Sequence, residues 1–291
     1  MVSFSIFSIF FWGLRFGIDF VGGSIIEFEY SEKRPETLEV TESVRGIAED
    51  NEIYLGDFSL RETGELGFIL RTMEIDNEQK NQILNSLSIN EEVKEVRFNT
   101  IGPTLGMELR NKALFAFFLV VISIILFIAY SFRHVSKPVS SWKYGIIAIS
   151  AFVHDVLFPV GIFAILGHFA GIEIDTLFVV AILVVLGYSI NDTIVVFDRI
   201  RENLKEYPEK KRSEHFEKII GNSLSQTVSR SINTSLTTLI ALSAIFILGG
   251  EATRYFALAL IAGVLAGTYS SIFFAAPMLL TLQKLQKKDS K

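Results

Sequence analysis

The sequence contains no cysteine, and this absence excludes several kinds of chemistry before any motif is considered. Without a thiol there is no cysteine nucleophile, no iron–sulfur cluster and no cysteine-bound zinc. Charged residues are also scarce, at 20% of the 291 residues, whereas 50% are hydrophobic and the mean hydropathy is +0.42. This composition excludes a disordered chain, a collagen-like chain and a disulfide scaffold. It is typical of a membrane protein.

Acidic charge is concentrated in one stretch of the chain. Residues 17–110 hold 20 acidic and 9 basic side chains, whereas the rest holds 12 acidic and 18 basic. Long apolar runs lie outside this stretch, and a membrane-spanning helix needs about 20 mostly apolar residues. We therefore predict a water-soluble domain with its connecting segments at 17–110 and a five-helix membrane domain at 111–291. Its predicted spans are 113–132, 144–167, 176–197, 225–249 and 255–282, with a cytoplasmic loop at 198–224.

The first residues form an apolar run that is too short for a full crossing. Residues 1–12 have no basic segment before the run and no small-residue cleavage site, so a signal peptide is not favoured. We interpret residues 1–16 as the second part of a transmembrane helix whose beginning is missing from this sequence. The expected fold is an α-helical polytopic membrane protein with six transmembrane helices, the first one truncated.

The distribution of basic residues predicts the orientation of these spans. Lysine and arginine are concentrated in the loop 133–143, in the segment 198–230 and after Leu282. Short cytoplasmic loops carry such an excess of basic residues. Both termini are therefore expected in the cytoplasm, with residues 17–110 on the outer, periplasmic side.

The pattern of residues in the acidic stretch predicts an inserted α+β domain. Apolar alternation and turn signals predict strands and helices in the order βαββαβ, which is the ferredoxin-like arrangement. Asp76 is expected to cap the second helix. No catalytic group stands out, so a binding or hinge module is expected. The predicted strands are 25–30, 53–60, 66–71 and 93–101, and the predicted helices are 35–50 and 76–87.

Ionisable side chains inside the predicted spans are the main functional candidates. Each costs roughly 3 kcal/mol or more to place in the bilayer, so it usually has a role there. His154 and Asp155 lie near the middle of the third span. Asp192 lies in the fourth span, close to Tyr188 and Asn191. For His154 and Asp155 the alternative interpretation is polar packing between helices.

The fifth span begins with a polar helical face that could complement Asp192. An aspartate near an arginine favours its ionised form, and separation of the two lets it take a proton. Asp192 and Arg230 are therefore the predicted switch, and a structural ion pair is the alternative. The supporting polar residues are predicted to be His154, Asp155, Tyr188, Asn191, Asn233 and Thr237, and the face itself also includes Gln226 and Thr234.

Small residues recur along the sixth span. Ala259, Gly263, Gly267, Ser271 and Ala275 follow one another at intervals of four. This spacing lets two membrane helices approach closely. We predict that the sixth span contacts a neighbouring helix through Gly263 and Gly267.

Four segments of this sequence together resemble the SecF family. They are residues 17–23, 101–106, 187–203 and 225–238, and the third, Gly-Tyr-Ser-Ile-Asn-Asp-Thr-Ile-Val-Val-Phe-Asp-Arg-Ile-Arg-Glu-Asn, is the most specific. SecF is the smaller membrane subunit of the SecDF protein-export accessory, within the resistance–nodulation–division superfamily. The resemblance covers essentially the whole chain.

The resemblance implies a translocation component and not an enzyme. It implies that the proton motive force drives late steps of Sec-dependent export at the bacterial inner membrane, with Asp192 and Arg230 on the proton path. The implied partners are SecD, the SecYEG channel, YajC, a translocating unfolded preprotein and membrane lipid, with no nucleic acid. No cofactor and no metal are expected.

Two other functions are compatible with parts of the sequence. One is a related exporter of lipids or small hydrophobic molecules. The other is an intramembrane aspartyl protease, since Asp155 and Asp192 lie on separate spans, although its Gly-x-Gly-Asp motif is absent. The metalloprotease motif His-Glu-x-x-His is absent as well.

Overall fold

The computed structural model describes residues 1–88, 92–131, 139 and 141–289. Most of the basic loop predicted at 133–143 therefore lies outside the described residues. The chain divides into two compact units, one formed by Arg15–Leu114 and the other by Met1–Leu14 together with Phe115–Lys291. The first unit contains all four described strands, and the second is helical.

The described part of the chain forms ten α-helices, one π-helical turn and four strands. The strands are β1 (Gly23–Tyr30), β2 (Ser59–Thr63), β3 (Gly67–Thr72) and β4 (Val93–Ile101). The helices are α1 (Val2–Trp12), α2 (Ile18–Val21), α3 (Thr37–Asp50), α4 (Asn77–Leu87), α5 (Pro103–Ser131), α6 (Ser141–Ala170), α7 (Thr176–Lys205), α8 (Glu209–Leu248), α9 (Glu251–Ser270) and α10 (Ala276–Asp289). The π-helical turn Ser271–Ala275 joins α9 directly to α10.

The smaller unit places α3 and α4 on one face of an antiparallel sheet with strand order β2-β3-β1-β4. Alternation along β1 turns Ile26 and Phe28 toward the helices, where they join Phe68 in a fully buried core. The Asp76 side chain accepts a hydrogen bond from the Gln79 backbone, and the Gln79 side chain accepts one from the Asp76 backbone. This capping box begins α4 at the predicted place.

One predicted strand differs from the structure. The sequence predicts a strand at 53–60, whereas β2 covers only Ser59–Thr63. Ile53 and Leu55 are buried as strand residues would be, but in an irregular segment that continues through Gly56 with a φ of +65°. An alternating apolar pattern shows which side chains enter the core. It does not show whether the backbone of the segment forms hydrogen bonds with a neighbouring strand.

The glycines after α2 let the chain pass close to the beginning of α5. Gly22 and Gly23 have φ values of +81° and +120°, which residues with a side chain rarely adopt. A Cβ on Gly22 would lie 2.8 Å from the Cα of Pro103, and one on Gly106 would lie 2.9 Å from the backbone nitrogen of Gly22. The first two segments of the family resemblance therefore pack against each other.

Among the residues that the structure describes, five helices are long and apolar enough to cross a membrane. They are Pro103–Ser131, Trp142–Ala170, Thr176–Lys205, His215–Leu248 and Thr253–Leu285, and the shorter Val2–Trp12 is also apolar. These helices and the small antiparallel sheet confirm the prediction at a coarse level, as a mostly helical chain with apolar, membrane-spanning helices and one small sheet.

The predicted loop at 198–224 is mostly helical in the structure. Only residues 206–208 separate α7 from α8. Charged residues end the apolar run here, but lysine, arginine and glutamate are good helix formers, so the helices continue beyond it. The Arg212 Nε donates to the backbone carbonyls of Leu204 (2.8 Å) and Tyr207 (3.1 Å). These bonds stabilise the C-terminal end of α7.

Glycines on α9 bring this helix against α7. A Cβ on Gly263 would lie 2.1 Å from Cγ2 of Val185, and one on Gly267 would lie 3.1 Å from Cβ of Ser189. The predicted contact through Gly263 and Gly267 is therefore confirmed. It places the C-terminal end of α9 beside the polar segment of α7.

We expect Gly263→Ala to destabilise the membrane unit, because the added methyl group would overlap Val185 and force α7 and α9 apart. Such overpacking costs about 1–3 kcal/mol and would lower the midpoint of heat-induced aggregation in detergent. Gly187→Ala on α7 is the matched control, since nothing lies within 4 Å of its added Cβ. Equal midpoints for the two variants would contradict the close approach.

Candidate functional site

Asp155 on α6 is a fully buried carboxylate with several hydrogen-bond partners. Its side chain is 0% exposed. Its Oδ1 lies 2.8 Å from Nδ1 of the adjacent His154, and its Oδ2 accepts hydrogen bonds from the hydroxyls of Ser189 and Ser270, the latter at 2.7 Å. The partners come from α6, α7 and α9. They supply the hydrogen bonding that a buried carboxylate needs.

The imidazole ring of His154 lies against two aromatic rings. It stacks with Tyr269 at 6.0 Å and with Phe274 at 5.9 Å between ring centroids, and its residue is only 7% exposed. The stacking and the contact with Asp155 together fix the orientation of the ring. His154 and Asp155 therefore form a defined pair, as their adjacent positions in the sequence allow.

Two departures from regular helix geometry lie next to this pair. Pro159 lies inside α6 and lacks the N–H group that would bond the carbonyl of Asp155 four residues earlier. The π-helical turn begins at Ser271, immediately after the serine that binds Asp155. Such turns are frequent at functional sites. The backbone around Asp155 is thus less regular than the rest of the two helices.

Asp192 lies on α7 and faces α8. Its Oδ1 accepts a hydrogen bond of 2.5 Å from the hydroxyl of Ser231. Its Oδ2 is buried, and no donor among the described residues bonds it. A buried acceptor without a donor is costly, so the site is completed only by a further donor or by a proton.

Arg230 does not reach Asp192 in this structure. The Arg230 side chain is exposed, and the residue after it, Ser231, makes the bond to Asp192. Asn233 and Thr237 are exposed as well. The predicted pair of Asp192 and Arg230 is therefore not formed here, and the predicted polar face does not continue toward Asp192.

A different polar stripe of α8 faces its neighbours. It consists of buried hydroxyl residues at every fourth position, Ser223, Thr227, Ser231 and Ser235. The Ser235 hydroxyl lies 2.5 Å from Oγ1 of Thr268 on α9 and accepts a hydrogen bond of 3.0 Å from Tyr188 on α7. Tyr188 thus lies in the interface as predicted, whereas Asn191 is exposed.

Several hydroxyl residues of this site were not selected from the sequence. Ser271, predicted only as a packing residue, lies 3.0 Å from Oγ1 of Thr193 through its hydroxyl, and both side chains are buried. Ser270 binds Asp155. The signals were present, since Ser270 and Ser271 are consecutive polar residues in an apolar span, and hydroxyl residues recur at every fourth position of α8 from Ser223 to Ser235.

Gln226 joins α7 to α8 away from the buried carboxylates. Its Oε1 accepts hydrogen bonds from Nε of Arg199 (2.6 Å) and Nδ2 of Asn203 (2.9 Å). The same Nδ2 of Asn203 lies 2.8 Å from the hydroxyl of Ser223. These bonds hold the charged ends of the two helices together, so Gln226 has a structural role.

The chemistry available to this site is proton exchange. Across the ranges that the structure describes, no group of three or more histidine, aspartate or glutamate residues could hold a metal ion. The site combines two carboxylates and one imidazole with hydroxyl groups, which both donate and accept hydrogen bonds. Carboxylates and imidazoles are the side chains that most often transfer protons in proteins.

Comparison with known protein families gives two matches. Residues 80–285 match the family described as protein export membrane protein SecD/SecF, C-terminal. Residues 7–33 match the family described as the SecD/SecF GG motif. The first match contains Asp155 and Asp192, and the second contains Gly22 and Gly23.

Curated relatives are similar over most of the chain. The protein translocase subunit SecF of Thermobaculum terrenum is 43% identical over 280 residues, which are 92% of this chain and 84% of the relative. The protein of the same name from Anaerolinea thermophila is 38% identical over 271 residues, with the same coverage of 92% and 84%.

Solved structures with a similar fold are longer than this chain. The crystal structure of SecDF, a translocon-associated membrane protein from Thermus thermophilus, matches with a TM-score of 0.79 and 29% identity. The match covers 97% of this chain and 36% of that one. A SecDF structure in the super-membrane-facing form matches with a TM-score of 0.65 and 28% identity, covering 99% and 37%. The chain thus spans about a third of the length of these SecDF chains.

Proposed function

Because the chain belongs to the SecF family of protein translocase subunits, we propose that it promotes the late steps of Sec-dependent export with energy from the proton motive force. The observation that carries the coupling is the buried Oδ2 of Asp192, which no donor among the described residues bonds. The relatives described above are named as translocase subunits, which favours this function over a lipid exporter or an aspartyl protease.

In the proposed switch, two residues of α8 take turns as the partner of Asp192. Ser231 occupies this place in the structure, and Arg230 is the residue before it. Consecutive residues of an α-helix differ in direction by about 100°, so a rotation of α8 about its axis would exchange one for the other. Arg230 would hold Asp192 as an anion, whereas Ser231 can also bond a protonated carboxyl group.

The proton motive force is large enough to drive such an exchange. One elementary charge that crosses 100 mV releases about 2.3 kcal/mol. This free energy changes the ratio of two states about fortyfold. It lies within the usual range of coupling free energies between sites in proteins, about 1–3 kcal/mol.

The proposed function is tested by completion of export in inverted membrane vesicles that contain the chain and its partner. Stimulation should require both the chain and a proton motive force. Equal stimulation after an uncoupler has dissipated the proton motive force would contradict proton coupling. Replacement of the proton gradient by a sodium gradient distinguishes the two coupling ions.

SecD is the proposed direct partner, and SecYEG, YajC and an unfolded preprotein complete the proposed assembly. Exposed polar residues on α8 support a helical partner in the membrane. Arg230, Asn233 and Thr237 are exposed on a helix that is otherwise apolar enough to span the bilayer. Lipid tails offer no hydrogen bonds to such side chains, so a transmembrane helix of SecD is the proposed neighbour.

We expect Thr237→Cys to form a cross-link with the SecD-type partner when it carries a thiol-reactive photo-cross-linker. The chain has no other cysteine, so the label marks one position. Phe127→Cys is the matched control, because Phe127 on α5 is also exposed, at 56%. Equal cross-linking from the two positions, detected on a denaturing gel, would contradict the proposed contact.

The finer architecture is also a proposal. The βαββαβ order and the strand order β2-β3-β1-β4 support a ferredoxin-like domain. A sixth span is supported by the parallel course of α1 and α6, since Ser5 lies beside Gly161 and the Trp12 ring stacks on His168. Basic residues near the junction of α7 and α8 support a cytoplasmic location for it and for the termini, with 17–110 on the periplasmic side of the inner membrane.

A further inference from the structure

Two consecutive serines lie beside the segments of α6 and α7 that carry the carboxylates of Asp155 and Asp192. Ser270, the last residue of α9, donates a hydrogen bond to Asp155, and the hydroxyl of Ser271, the first residue of the π-helical turn, lies 3.0 Å from Oγ1 of Thr193, the residue after Asp192. On α7, Ser189 donates to Asp155 one helical turn before Asp192. Both carboxylates therefore belong to one cluster of hydroxyl groups.

The charges around this cluster are few. Asp192 on α7 lies one helical turn after Ser189, which binds Asp155, and Tyr269 on α9 stacks on His154. The sequences of α1 and of the π-helical turn contain no ionisable side chain. Lys284 on α10 is directed to Glu217. Two neighbouring carboxylates rarely ionise together without a cation, and the basic side chain in contact with Asp155 is the imidazole of His154.

We propose that His154 and Asp155 form a second proton-binding site, which exchanges one proton with Asp192 during coupling. The proposal rests on the proton-coupled function proposed above. A proton leaves the pair and a proton arrives at Oδ2 of Asp192. Each serine hydroxyl on the route accepts one proton and releases its own, so the serines are unchanged. The unbonded Oδ2 of Asp192 is the acceptor for this transfer.

The chemistry of Asp155 favours a proton site over simple packing. An asparagine would fill the same space and would still accept the hydrogen bonds of Ser189 and Ser270. A carboxylate in a fully buried position carries a desolvation penalty of several kcal/mol when ionised. What the carboxylate adds is the capacity to gain and lose a proton.

The first test is Asp155→Asn in vesicles that contain the full chain and its SecD-type partner. Proton flux under an imposed pH gradient is followed with a pH-sensitive dye enclosed in the vesicles. We expect flux per assembled complex to fall about a hundredfold, because a positioned acid or base typically contributes 10²–10⁴-fold. Abundance and thermal midpoint in detergent should remain those of the unsubstituted chain.

The second test does not depend on the stability of Asp155→Asn. His154→Gln keeps a hydrogen-bond donor but cannot take a positive charge, so the pH profile of flux should lose the inflection that an imidazole contributes. His168→Gln, at the end of the same helix, should keep that inflection. A profile for His154→Gln that coincides with that of His168→Gln would overturn the proposal.

The outcomes separate this proposal from the proposed function. Normal flux for Asp155→Asn, together with lost flux for Asp192→Asn, would overturn the second proton site and leave proton coupling intact. Normal flux for both variants would overturn both. If Asp155→Asn lowered abundance while flux per complex stayed normal, Asp155 would have only a packing role.

Discussion

The Asp192→Asn chain is expected to assemble with its partner and yet give no stimulation of export by the proton motive force. Asparagine has the shape of aspartate, and its carbonyl oxygen can accept the hydrogen bond of Ser231. The contact between α7 and α8 should therefore remain. The amide cannot ionise at any working pH. An exchange of Ser231 for Arg230 as its neighbour on α8 would therefore no longer be coupled to the binding or release of a proton. The measurement is completion of export in inverted vesicles at matched protein levels.

Asp198→Asn is the matched control for this experiment. It makes the same chemical change on the same helix, but Asp198 lies in an exposed ion pair with Arg201. Exposed pairs of this kind contribute about 0–1 kcal/mol, so stimulation should stay normal. If Asp192→Asn instead reduced abundance and assembly, with normal stimulation per complex, Asp192 would serve only to join two helices.

Arg230→Gln is expected to reduce stimulation about a hundredfold, even though Arg230 makes no bond to Asp192 in the state described here. Loss of one partner from a buried charged pair typically costs about 3–5 kcal/mol, and the proposed second state contains such a pair. Arg230→Lys should restore part of the activity, because it keeps the charge but loses the planar guanidinium group. Stimulation of export is again the measurement.

Ser231→Ala distinguishes the two states of α8. It removes the hydrogen bond that Asp192 accepts in this structure, worth about 1.5–3 kcal/mol if the carboxylate is charged, and so favours the state in which Arg230 faces Asp192.

The control for Arg230→Gln is Arg254→Gln. Arg254 is also exposed, and its substitution should leave stimulation of export unchanged. Normal stimulation for Arg230→Gln would show that α8 does not bring this side chain to Asp192.

Local patterns predicted much of the fold because they depend on residues close together in the sequence. The strand 93–101 has the predicted bounds, and the helix after Asp76 begins with the predicted cap. Apolar runs identified the membrane helices, since length and hydropathy are properties of each segment alone. The small-residue spacing on the sixth span predicted the contact through Gly263 and Gly267, although it could not show that the neighbour is α7.

The sequence by itself determined that the chain carries ionisable residues within its long apolar segments, and four of its segments indicated the family. Only the tertiary structure decided which groups they meet. Both polar stripes of α8 are compatible with its sequence, and the one that contains Ser231 faces α7. The rotation of a helix is set by side-chain contacts with several other helices at once, and those contacts join residues far apart in the chain. For the same reason the hydroxyl groups that surround Asp155 became visible only when α6, α7 and α9 were packed together.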